Sequence, residues 1–139
     1  MDKSLIAFLI AVIAVGVLLF VAISISKKRG PSFNKEDYQV DFLRIENALQ
    51  KESEASYAMA IINGDKLLDK ALTEMGIPGK TMGDRLKRCD GKFENLNAVW
   101  RVHKLRNTLA HEAGFEISYK QAFNALGIYK QAMKDLGAI

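Results

Sequence analysis

From Ser4 to Ile25 the chain carries no charge, and two serines are its only polar side chains (SLIAFLIAVIAVGVLLFVAISI). At 1.5 Å per residue such a run makes about 33 Å of helix, enough to cross a hydrocarbon core of roughly 30 Å. Asp2 and Lys3 precede it, and Lys27, Lys28 and Arg29 follow at once. Basic residues behind the span predict an outside N-terminus and a cytoplasmic C-terminal part. A cleaved signal peptide would have a shorter apolar core, basic residues ahead of it and a small-residue cleavage site. Residues 1–26 are therefore expected to form a single transmembrane anchor, and residues 27–32 a basic juxtamembrane linker containing the Gly30-Pro31-Ser32 break. Ser4, Ala7, Ala11 and Ala14 line one stripe of the span. Such stripes let membrane helices approach closely, but alanine is common in spans in any case.

Beyond residue 32 the apolar spacing changes to steps of three and four. Tyr38, Phe42, Ile45 and Leu49 share one helical stripe, and Tyr57, Ile61, Leu68, Leu72 and Met75 share another. Gly76-Ile77-Pro78-Gly79 should end the second helix, because glycine permits the left-handed cap and proline cannot continue the ladder. Thr81 to Asp84 has capping-box spacing and predicts a short helix. After Asp90-Gly91, a further helix is expected from near Lys92, carrying Leu96, Val99, Trp100, Leu105 and Leu109, with Gly114 closing the region. Ser118 to Gln121 is a second capping box, opening a last helix with Tyr119, Ala122, Leu126, Tyr129, Met133 and Leu136 on one side. No segment reads as a strand, and Phe115-Glu116-Ile117 is too short to be one. The expected fold is all-α: a transmembrane helix followed by an up-and-down bundle of four or five helices over residues 33–139. Gly64 and Gly127 interrupt these helical patterns.

The net charge of +4 is unevenly spread. Residues 33–79 carry −4, whereas residues 80–106 carry +5 from Lys80, Arg85, Lys87, Arg88, Lys92, Arg101, Lys104 and Arg106 against three acids. Such a concentration attracts polyanions such as RNA, or anionic lipid headgroups, although a solvated helix face would look the same. The one cysteine, Cys89, cannot form an intrachain disulfide and suits a reducing compartment.

Immediately after this basic run stands Arg106-Asn107-Thr108-Leu109-Ala110-His111. An imidazole can take a proton from an attacking 2′-hydroxyl or give one to a leaving oxygen. A guanidinium can hold a phosphate by two hydrogen bonds and stabilise the charge growing on it. Asn107 and His111, four apart, share a face, so the amide could orient the imidazole. Arg106 and His111 lie roughly 140° apart on a regular helix. Either the helix loosens, or the site borrows groups from a second chain.

The hexapeptide resembles the signature of HEPN domains: arginine, a polar residue, three further residues and histidine. Arg106, Asn107 and His111 match it position for position, on a late helix of a small all-α domain. The resemblance covers residues 33–139 and implies a helical bundle that works as a homodimer. Many such domains are metal-independent endoribonucleases; others are non-catalytic binding or dimerisation modules. The membrane anchor departs from the family's commonest arrangements. On this reading Arg106, Asn107 and His111 are the catalytic candidates, and Lys92, Arg101 and Lys104 are candidates for RNA phosphates. No metal or cofactor is required. The partners implied are the membrane, a second copy, RNA, and an antitoxin-like or other protein of unknown kind. The rival readings are a module that binds RNA, a nucleotide or protein without cutting, and a structural adaptor at the membrane.

Other residues have plainer readings. His103 reads as a half-buried polar residue in line with Leu96, Val99 and Trp100, with a place on the site face as the alternative. Two histidines eight apart with no ligand at suitable spacing make a poor metal site. Trp100 reads as core rather than as a base-stacking platform. Glu112, adjacent to His111, points away from it on a helix.

Overall fold

A computed structural model describes residues 2–27 and 32–139, with the backbone alone for 26 and 27. Lys28, Arg29 and the Gly30-Pro31 part of the expected linker lie outside the described residues. Among the described residues there are six helices and no strand: α1 (Lys3–Lys27), α2 (Lys35–Ala48), α3 (Glu54–Glu74), α4 (Met82–Leu86), α5 (Leu96–His111) and α6 (Tyr119–Asp135). The chain divides into two units, Met1–Ser32 and Phe33–Ile139. In the first, α1 has a mean hydropathy of 3.3 over Lys3–Ile25 and is long and apolar enough to cross a membrane.

In the second unit the helix ends follow local chemistry. The Thr81 hydroxyl accepts from the Asp84 backbone N–H and starts α4. Ser118 and Gln121 complete a reciprocal capping box at α6. Gly76 ends α3 at φ 73°, with the Ile77 N–H returning to the Leu72 carbonyl at 3.1 Å and the Gly76 N–H to Thr73 at 2.9 Å. That double return is the Schellman pattern, and it uses the left-handed conformation glycine adopts without a Cβ clash. One start differs from expectation. α5 begins at Leu96 rather than near Lys92, because the Asn95 side chain takes the Ala98 N–H at 2.9 Å. The chain before it is tied to the end of α6 by the Glu94 N–H donating to Asp135.

α3 is the central element and packs against α2, α4, α5 and α6. Its stripe of Tyr57, Ile61, Leu68 and Leu72 is buried, as are Tyr38 and Phe42 of α2 and Ala122, Leu126, Tyr129 and Met133 of α6. Leu96, Trp100, Leu105 and Leu109 are only partly buried against this core. Ala98, Val99 and Val102 turn inward from α5 instead. Cys89 is fully buried, and that burial pushes its thiol up, so it stays protonated and inert at neutral pH. At Gly64 the Tyr129 ring of α6 lies directly against α3: a Cβ there would be 2.5 Å from the ring. The absent side chain admits that ring and sets the geometry described next.

Candidate functional site

Between Ile61 and Leu68 the apolar stripe of α3 is interrupted by Gly64 and Asp65. Asp65 is 4% exposed, and a buried carboxylate must find partners. It has three. Tyr129, seated on Gly64, donates its hydroxyl to Oδ1 at 3.3 Å. His103 brings Nδ1 to within 3.0 Å of the same oxygen. Arg106 Nε lies 3.7 Å from Oδ2, an ion pair without a hydrogen bond. Burial first, and the Asp65 charge second, hold the Tyr129 hydroxyl far above its ordinary range. It is therefore a permanent donor.

From His103 the contacts continue. Its Nε2 is 3.3 Å from Asn107 Nδ2, and Asn107 Oδ1 accepts from Arg106 Nη1 at 3.2 Å. Asp65, His103, Asn107 and Arg106 thus close a ring that joins α3 to α5. The amide of Asn107 is engaged here and not with His111. The cause is geometric: helical side chains lean toward the N-terminus, and His103, four residues earlier, is fixed by Asp65. His111 sits exposed in the last turn.

The ring forms one wall of an open cleft of about 700 Å³. Trp100, His103, Lys104, Asn107 and His111 line it from α5, and Arg106 lines it too. α5 remains helical through His111. The Arg106 side chain folds toward Asn107, and both Arg106 and His111 line the cleft. Lys66 and Asp69 of α3 and the Thr81–Asp84 segment with Lys87 complete the lining.

The three carboxylates of the lining are already answered. Asp65 meets His103 and Arg106, and Asp69 pairs with Arg85 at 2.9 Å. Asp84 is held below its usual range chiefly by the Thr81 hydroxyl, with the Lys87 charge contributing. Lys66 and Lys104 form no ion pair among the described residues. They are available to an anionic ligand.

Of the residues expected at the site, Arg106, Asn107, His111 and Lys104 line this cleft, whereas Lys92 and Arg101 are exposed outside its lining. Trp100 packs on the core and also lines the cleft. Asp65 and Lys66 escaped the sequence reading, and Lys87 was read only as part of the basic run. His103, read as half-buried, is 7% exposed and bonded on both nitrogens. A polar residue at a core register of α3 was the available signal for Asp65. Compared with protein-family models, curated proteins and solved structures, the chain finds no match.

Proposed function

We propose that residues 33–139 are a HEPN-like domain, held at the cytoplasmic face of a membrane by α1, that binds single-stranded RNA in this cleft and cleaves it as a homodimer. The observation that carries the reading is the common lining: guanidinium, imidazole and amide of the motif face one open cleft that also holds two unpaired lysines. In the proposed reaction His111 takes the proton of the 2′-hydroxyl or supplies one to the leaving 5′-oxygen. Arg106 steadies the phosphate, and Lys66 and Lys104 draw the backbone in. Asn107 orients, through Arg106 and His103. The substrate brings its own nucleophile, so this chemistry needs no metal.

The same residues support a second reading, binding without cleavage, because Arg106 is already committed to Asp65 and Asn107. The full chain in lipid nanodiscs, incubated with end-labelled RNA in excess EDTA, separates the two. The enzyme reading predicts 2′,3′-cyclic phosphate ends, with the rate falling about 10²–10⁴-fold in His111→Ala and a comparable loss in Arg106→Ala. Intact RNA bound in a salt-dependent manner would reject cleavage and leave the binding module.

A further inference from the structure

We infer that His103 and Asp65 are positioning residues that set Arg106 through a single imidazole tautomer, relayed by the Asn107 amide. The inference rests on the reading of the cleft as a phosphate site, but its first readout does not.

Donors and acceptors decide the tautomer. An ionised Asp65 can only accept, so the 3.0 Å contact puts a proton on His103 Nδ1. In the neutral ring Nε2 must then accept, and the group that faces it is the Asn107 NH₂ at 3.3 Å. That fixes the amide with Oδ1 turned to Arg106 Nη1 at 3.2 Å. Along the path from Asp65 through His103 and Asn107 to Arg106 Nη1, each contact pairs a donor with an acceptor in this arrangement alone. In the opposite tautomer, Nε2–H would face the amide donor, and a lone pair would face the carboxylate. In the doubly protonated ring, Nε2–H would require Oδ1, and the flipped amide would present NH₂ to Nη1, donor against donor. Arg106 would lose its hold.

Charged and polar groups from several elements surround His103. Asp65 faces it from α3, and Tyr129 of α6 donates to the same carboxylate oxygen. Arg106 of α5 lies against the other oxygen. Asp84 and Lys87 stand on the α4 side of the cleft. With Nη1 directed to Asn107 and Nε toward Asp65, Arg106 Nη2 makes no hydrogen bond among the described residues. That nitrogen is the donor left for a phosphate.

The chain has two histidines, so ¹⁵N-histidine labelling of the full chain in nanodiscs gives two readable rings. For His103 at neutral pH we expect Nδ1 protonated and Nε2 unprotonated; a protonated Nε2 would overturn the inference whether or not the protein binds RNA. Asp65→Asn can donate to Nδ1 and should move the proton to Nε2. It should then weaken binding of a short single-stranded DNA, which lacks the 2′-hydroxyl and cannot be cut, by about tenfold, the worth of one charge-assisted hydrogen bond. A moved proton with unchanged affinity would break the proposed relay. Should Asp65→Asn not fold, Asn107→Asp supplies the second test. A carboxylate cannot donate to Nε2, so His103 should stay doubly protonated to higher pH than in the wild type. An unaltered titration would refute the coupling. If DNA and RNA fail to bind at all while the tautomer is as expected, the phosphate-site reading fails and the internal relay stands.

Discussion

A carboxylate 4% exposed beside Leu68 and Ile61 would cost several kcal/mol if unanswered, so the partners of Asp65 decide where α5 and α6 put their polar side chains. Tyr129 shows the consequence in titration. Its folded-state pKa is raised, by burial first and by Asp65 second. The unfolded chain would release this proton near pH ~10. The contribution is therefore complete below that pH and is lost as pH rises above it. Thermal unfolding followed from pH 8 to 11 should show a steep fall for the wild type and a shallower one for Tyr129→Phe. Tyr38 and Cys89, also raised by burial, keep part of the slope. Identical slopes would contradict the account. Little of this was legible residue by residue. The motif located Arg106, Asn107 and His111, but the carboxylate that organises the first two, through His103, is 38 positions away from His103 in sequence. Only its interruption of the Ile61–Leu68 stripe hinted at it.

At the scale of elements, the two mid-helix glycines of the bundle have opposite meanings. Gly127 of α6 has open space where a Cβ would be, whereas Gly64 of α3 has the Tyr129 ring. Alanine at position 127 should stabilise the domain by about 0.5–1 kcal/mol through helix propensity alone. Alanine at position 64 should destabilise it by about 1–2 kcal/mol net, since the ring must shift and overpacking exceeds the propensity gain. Chemical denaturation of both variants checks the pair, and a stabilising Gly64→Ala would contradict the close approach of α3 and α6. Sequence periodicity predicted the helices themselves because α2, α3 and α6 each bury one stripe of steps of three and four. Boundaries were less legible. The start of α5 depends on Asn95, a cap that no apolar period signals. The basic residues were grouped by chain segment, so Lys66, which reaches the cleft from the otherwise acidic α3 region, was passed over.

For the whole molecule, α1 and the helical unit differ in character. The first is long and apolar enough to cross a bilayer, and the second carries every polar group of the cleft. Membranes from expressing cells should retain the full chain through alkaline carbonate and high salt, because apolar burial of a spanning helix is insensitive to both. A chain lacking residues 2–27 should be released, and its retention would contradict a spanning α1. On the proposed reading, nucleic acid meets this protein at the α5 wall of the cleft. The most direct measurement follows the imidazole ¹H–¹³C signals of His103 and His111 in the nanodisc-held chain as a short single-stranded RNA, 2′-deoxy at the scissile position, is titrated in. The account predicts that both signals move in one saturable step, His111 further than His103, and that Lys104→Ala weakens that step. Saturable binding that leaves both imidazoles unmoved would put the ligand elsewhere and contradict it.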